Sequence, residues 1–251
     1  MVAFKFEDKF ERQNKAQAPI GDLRFRQLFT ETDWKKLPLA VRQRFGRRVA
    51  IGDAIVYRGQ VEFNRVNRWG HFLNHAMRLI GAPLPIDTNN AGAVAIVTVT
   101  EAPNDSQIWM RQYGRRDTKH PFPQVIKSAK HFRGPTGIEE HIGKGVGMSL
   151  KPCVENGELV FRAEDIFLDI GRLRLKLPRW LAPNELRAGH EELGNGRFAF
   201  TLRLKHRWFG TLVDQRVKFV DTSPRPIRIW RCDRDHAHLD MSKHSDFDGR
   251  H

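Results

Sequence analysis

The chain has 251 residues, with 43 Lys and Arg against 29 Asp and Glu, a formal net charge of +14 and a pI near 10.3. Its 40% apolar content excludes wholesale disorder, and its length can bury a core without a metal or a disulfide. Cys153 and Cys232 are too few for a disulfide framework or a cysteine zinc cluster. No apolar run reaches the roughly 18–20 residues of a membrane span, and the opening segment carries Glu7, Asp8 and Glu11 where a signal peptide needs an apolar stretch. The expectation is a soluble, reduced, cytoplasmic basic protein with no metal and no cofactor.

Residues 1–22 are polar and read as a flexible arm, residues 23–222 as a single β-rich domain, and residues 223–251 as a polar, mobile tail after a short extended piece, Pro226–Trp230. His236 and His238 lie near Asp235 and Asp240, but a mobile tail does not preorganise metal ligands. Thr32-Asp33 followed by Trp34–Phe45 predicts a capped helix ended by Gly46, with Leu37, Val41, Arg44 and Phe45 at helical spacing and a second segment opening at Pro38. Ala54–Phe63 is extended. Asn67–Leu79 places Trp69, Phe72, Leu73, Ala76, Met77 and Ile80 three and four residues apart, an amphipathic helix stopped by Gly81 and Pro83.

From residue 93 the pattern is almost purely β. Ten strand candidates follow: Ala93–Thr100, Gln107–Tyr113, Gln124–Phe132, Gly137–Ile142, Val146–Val154, Glu158–Leu168, Arg172–Leu177, Leu186–Leu193, Arg197–Lys205 and Thr211–Val220. Asn156-Gly157 and Asn195-Gly196, each between strands, are hairpin turns. Successive hairpins predict an antiparallel meander, and about ten strands in one sheet curl or close because long free edges are a liability. The fold class is mainly β (α+β): a strongly curved sheet or barrel-like cup with two helices from the N-terminal half packed on it.

Most of the net charge lies in residues 111–151 and 171–218. Arg172, Arg174 and Lys176 alternate with Leu173, Leu175 and Leu177, and Arg203 and Lys205 repeat the pattern, so each strand has one basic and one apolar face. Such faces are either solvated or a surface for nucleic acid or anionic membrane; the stacking aromatics of single-strand binders are missing from them.

On a strand, Trp109, Arg111 and Tyr113 share a face. An inward Arg111 needs a carboxylate or a bound anion, with Glu139, Glu140, Glu191 and Glu192 as candidates. Trp180, inside Leu177-Pro-Arg-Trp-Leu-Ala-Pro183, is placed at the rim of the cup. No Gly-x-Ser-x-Gly, His-Glu-x-x-His, phosphate-binding loop or dinucleotide fingerprint is present, and Gly143-Lys-Gly145-Val-Gly147 lacks the helix that a phosphate loop requires. His141 and His190 each adjoin two glutamates, but strand neighbours face opposite ways, so neither forms an acid–base pair with the residue beside it.

Leu37-Pro-x-x-Val-Arg42, Tyr57-Arg-Gly59, Trp109-x-Arg-x-Tyr113, Glu140-x-Ile-Gly143, Leu177–Pro183, Glu192 with Gly196-Arg-Phe-x-Phe200, and Gly210-x-Leu-Val213 occur in that order. Over roughly residues 27–221 this series resembles a bacterial domain-of-unknown-function family, the one numbered 4166. The chain departs from that pattern at Arg207-Trp-Phe-Gly210 and Asp214-Gln-Arg216. The resemblance implies a standalone domain, or one associated with a dehydrogenase-like protein, and implies no reaction and no catalytic residues.

Three function classes stand. The first is a binding module, a β-cup for a hydrophobic or amphipathic small molecule, anionic or neutral, contacted by Trp109, Arg111, Tyr113, Glu140, Trp180 and Glu192. The second is an enzyme of unspecified reaction using Arg111 with Glu140 or Glu192. The third is a binder of nucleic acid or anionic membrane through Arg172, Arg174, Lys176, Arg203 and Lys205.

Overall fold

A computed structural model describes residues 21–79, 81, 83–85, 87–115, 122–221 and 227–228. The arm up to residue 20 and the tail from residue 229, with His236 and His238, lie outside them.

The described strands are β1 (Asp53–Val66), β2 (Val94–Ala102), β3 (Ser106–Tyr113), β4 (Gln124–His131), β5 (Glu139–Ile142), β6 (Val146–Glu155), β7 (Glu158–Ile170), β8 (Leu173–Lys176), β9 (Glu185–Gly194), β10 (Arg197–His206), β11 (Gly210–Val220) and β12 (Ile227–Arg228). All pair antiparallel in the order β11-β10-β9-β7-β6-β5-β4-β3-β2-β1, and β1 also pairs with β11, which closes a ten-stranded barrel. β8 pairs β7 off this path, and β12 pairs the first residues of β1. The meander follows from its turns: Asn156 and Gly157 have φ 52° and 80°, and Asn195 and Gly196 have φ 54° and 70°. Two successive positive φ values give the turn twist that matches paired antiparallel strands.

Three short helices plug one end of the barrel: α1 (Leu23–Arg26), α2 (Glu31–Lys36) and α3 (Leu39–Phe45). The α2 cap is Thr30, whose side chain accepts from Asp33 N, so the helix starts earlier than Thr32-Asp33 suggests. The local reason is the Thr30-x-x-Asp33 spacing, which lets the Thr30 hydroxyl accept from Asp33 N while donating to the Asp33 carboxylate. The helical stretch over 34–45 is divided at Pro38, as the proline suggests: Leu37 is extended and Leu39 begins α3. Phe25, Leu37, Val41 and Phe45 are buried against the barrel interior. Phe25 meets Phe45, Phe132 and Phe161 edge-on.

Helix α4 (Arg68–Leu79) lies at the other end and touches β11 and β1. Its orientation splits the apolar stripe, with Leu73 turned to the protein and Trp69 and Phe72 turned outward. The buried residues are Gly70 and Asn74, whereas Trp69 and Phe72 are 39% and 69% exposed. Gly70 sets this arrangement: a Cβ there would lie 2.2 Å from the Leu212 carbonyl oxygen, so the helix meets β11 on its smallest residue. Asn74 Oδ1 accepts from Leu84 N at 2.8 Å, and Leu73 joins Leu84, Leu204, Leu212 and Val213 in a small second core. Among the described residues, no helix is long and apolar enough to cross a membrane.

Gly70→Ala should therefore lower stability by about 1–3 kcal/mol, since overpacking against backbone leaves nowhere for the methyl to go. Urea denaturation of the variant checks this, and an unchanged midpoint would contradict the close approach.

Candidate functional site

Between the helical plug and the α4 end, the barrel interior is not filled. A cavity of about 170 Å³ runs from Phe45 to Pro83, Leu84 and Pro85, walled by residues of β3–β7 and β9–β11. The direction of β3 fixes its two ends. Gln107, at the start of β3, donates to Asp22 beside the plug. Tyr113, at its end, pairs with Gln124, which donates to the Leu84 carbonyl oxygen. Period-two alternation carries Trp109, Arg111 and Tyr113 to the same wall.

The wall is mostly apolar: Ile126, Ile142, Met148, Phe161, Leu186 and Phe200 among others. Set into it is one charged cluster. Lys130 and Glu140 stand directly opposite in the β4–β5 ladder, with Nζ 2.6 Å from Oε2, and both are almost fully buried. Arg111 approaches the other carboxylate oxygen at 3.5 Å and donates to Ser128 Oγ at 2.9 Å. Burial opposes the charge of Glu140, but Lys130 and Arg111, with hydrogen bonds from Lys130 and Ser128, bring its carboxyl down to about 2. Burial pulls the Lys130 ammonium down, against the pull of Glu140. Two cations share one carboxylate.

His190 borders the same cavity and also a smaller void of about 20 Å³, room for a single water. Arg44 Nη1 lies 3.1 Å from its Nε2, and since a guanidinium only donates, the ring proton sits on Nδ1. That Nδ1–H has no partner, nor has Gln215 Nε2, also on the cavity wall. Burial, and then the charge of Arg44, hold the His190 imidazole neutral, well below its ordinary range. Phe198 stacks on it at 4.7 Å.

Of the residues singled out in the sequence, Trp109, Arg111, Tyr113 and Glu140 converge on this cavity, and Glu192 and Trp180 do not. Glu192 is held at the plug end by Arg44, 2.6 Å away, where Asp221 also pairs with Arg44. Trp180 is 57% exposed on the loop before β9. Arg174 bridges Asp169 and Glu139, and Lys176 pairs with Asp165, whereas Arg172, Arg203 and Lys205 are exposed. The two basic strands are not neighbours, because β8 pairs only with β7 and β10 lies between β9 and β11. Leu173 and Leu175 are exposed too, so the second face of β8 covers no core. His141 Nε2 lies 3.2 Å from Glu139 Oε2, a same-face pair two residues apart, away from the cavity. Among the described residues, no three His, Cys, Asp or Glu side chains form a group able to hold a metal ion.

Sequence reasoning missed Lys130, His190 as a wall residue, and Gln215. The signal for Lys130 was its register: Gln124, Ile126, Ser128 and Lys130 alternate inward, and Lys130 pairs with Glu140 once the turn between β4 and β5 is counted.

Two measurements test this electrostatic account. Glu140→Ala leaves Lys130 buried without its counter-charge and should cost about 3–5 kcal/mol in urea unfolding. Arg111→Ala leaves the Lys130–Glu140 pair intact and should cost only about 1 kcal/mol. For His190 the folded state stays neutral while the unfolded chain protonates below about 6.5. Its contribution, complete above that pH, is lost as pH falls, by up to about 1.4 kcal/mol per pH unit. His190→Gln should flatten the stability profile between pH 6.5 and 5 relative to the unsubstituted protein, as read by denaturation across that range.

No curated protein matches the sequence. The profile of the family described as Domain of unknown function (DUF4166) matches residues 37–219. That span runs from the turn before α3 into the last strand of the barrel and contains every cavity residue named above, so the chain belongs to the DUF4166 family.

Proposed function

We propose that the barrel is a binding module for a compact amphiphile with an anionic end, a carboxylate being the simplest fit. The observation that carries this reading is the charge imbalance in an apolar wall: Arg111 and Lys130 face one carboxylate, Glu140. A second anion brought alongside them would neutralise the cluster in surroundings where water cannot. The unpartnered donors agree in sign, since His190 Nδ1–H and Gln215 Nε2 both ask for an acceptor.

Size narrows the apolar part. A cavity of about 150 Å³ lined by aliphatic and aromatic side chains takes up benzene, so about 170 Å³ suits an aromatic ring or a short alkyl chain. Barrel interiors are a common place for such ligands, and the rigid strands hold the contacts in fixed positions.

Isothermal titration of the full chain with straight-chain carboxylates, and with the alcohols of the same length, tests the reading. Carboxylates should bind at least about tenfold tighter than the alcohols, and Arg111→Gln should shrink that ratio, because a charge-assisted contact is lost. Ala188→Leu, which fills the cavity from β9, should remove binding of both series while leaving the fold stable. Equal affinity for alcohols and carboxylates, or no binding of either, would overturn the proposal.

A further inference from the structure

The exposed large apolar side chains are distributed unevenly between the two ends of the barrel. At the plug end they are scattered aliphatics, Leu23, Leu39 and Ile51. At the α4 end they include aromatics and lie together. Trp69 and Phe72 project from α4, and Trp208 and Phe209 occupy the turn between β10 and β11, with Trp69 stacked on Phe209 at 4.4 Å. Asn67 Nδ2 ties the start of α4 to this turn by donating to the Phe209 carbonyl oxygen. The loop carrying Trp180 and Leu181 enters β9 at Glu185, which pairs with Lys205 just before the same turn. All three exposed tryptophans among the described residues thus fall at this end.

Charge is interleaved with them. Arg68 lies over the Trp69 ring and Arg207 over the Trp208 ring, and Arg78 and Arg179 are exposed nearby in sequence. None of the four has an ion-pair partner among the described residues. The acids of this rim do not cancel them: Asp214 lies opposite Arg65 and Arg203, Glu185 opposite Lys205, and Asp87 adds one negative charge. Exposed Trp and Phe set among unpaired arginines match an interface with apolar chains below and phosphates above, the zone where amphipathic aromatics and cations accumulate. A water-facing surface would gain nothing from the aromatics, and a phosphate-tracking nucleic-acid surface would not need an aliphatic such as Leu181 beside Trp180.

We infer that this end of the barrel docks on an anionic phospholipid bilayer, with Phe72, Trp180 and Trp208 entering the interfacial layer and Arg68, Arg78, Arg179 and Arg207 meeting lipid phosphates. The arrangement explains why α4 turns its glycine to the protein and its aromatics outward. It also sets Leu84, the cavity wall residue tied to Asn74, on the bilayer side.

The test is co-sedimentation of the full chain with vesicles of phosphatidylcholine alone and of phosphatidylcholine mixed with phosphatidylglycerol. Binding should appear only with the mixed vesicles, with a blue shift of tryptophan emission. Phe72→Ser combined with Trp208→Ser should weaken it by at least about tenfold with an unchanged melting curve, and so should Arg68→Gln with Arg207→Gln. Trp180→Ser gives an independent check on a different loop. Absence of binding to mixed vesicles overturns the inference. So does binding that the aromatic substitutions leave intact, since diffuse attraction to a chain of +14 would then explain it. Self-association, or duplex DNA binding, that depends on Phe72 and Trp208 in place of vesicle binding also overturns it. Failure of vesicle binding would leave the carboxylate reading of the cavity untouched, and failure of carboxylate binding would leave docking untouched.

Discussion

Everything in this structure depends on β1 pairing on both sides at once. Its residues 54–60 hydrogen-bond with β2, and residues 58–66 pair with β11, with a register shift between Val61 and Phe63. That seam turns a meander into a closed surface with no long free edge. Closure fixes an interior volume in advance, and the inward side chains then either fill it or leave a void. At the plug end, α1–α3 and the phenylalanines fill it. Beyond Phe45 nothing in the described residues does, and the cavity follows from the geometry of closure as much as from any one side chain.

The interior charge makes sense in that frame. A buried lysine–glutamate pair costs desolvation on both partners and is seldom a net stabiliser, so apolar residues of the same volume would serve the fold at least as well. The barrel nevertheless keeps Lys130 and Glu140 and adds Arg111, with Ser128 satisfying a guanidinium N–H. An arrangement that is neutral or costly for stability, located where the wall meets a void, is the observation on which the proposal of an anionic ligand rests. Arg44 offers the contrast. It is equally buried, but it is balanced by Glu192 and Asp221 and lies over the Phe198 ring, and it locks the plug to β9 and to the end of the barrel.

The strands were legible because apolar residues alternate along them, and at β6–β7 and β9–β10 a second signal agreed, an Asn-Gly turn whose φ values are positive in both residues. The inward side of β3 was legible for the same reason, with Trp109 and Tyr113 flanking Arg111. The inward side of β4 was not, because Gln124, Ser128 and Lys130 on one face and Lys127 on the other are polar alike. Which carboxylate meets Arg111 depended on strand order, and Glu140 and Glu192 sit on strands far apart around the barrel. Helix α4 was legible as a helix and misleading as to its orientation. Apolar periodicity locates a stripe, and only the close approach of Gly70 to Leu212 says which side the protein covers.

The two ends of the barrel use aromatic residues in opposite ways, and the difference lies in backbone access. At the plug, Phe25 arrives on a four-residue helix capped by Asp22, and Phe45 ends the short helix that opens after Pro38, so the chain turns sharply and brings both rings into the interior. At the other end, α4 is longer and is pinned by Asn67 at its start and Asn74 in its middle, so its position is set by polar contacts before its aromatics can choose a side. Turning the helix to bury Trp69 and Phe72 would pull Asn74 from Leu84 and drive larger side chains toward the Leu212 carbonyl. The fold thus accepts an exposed aromatic face as the consequence of a tight glycine contact, and that contact holds the helix against β11, whose Gln215 lines the cavity.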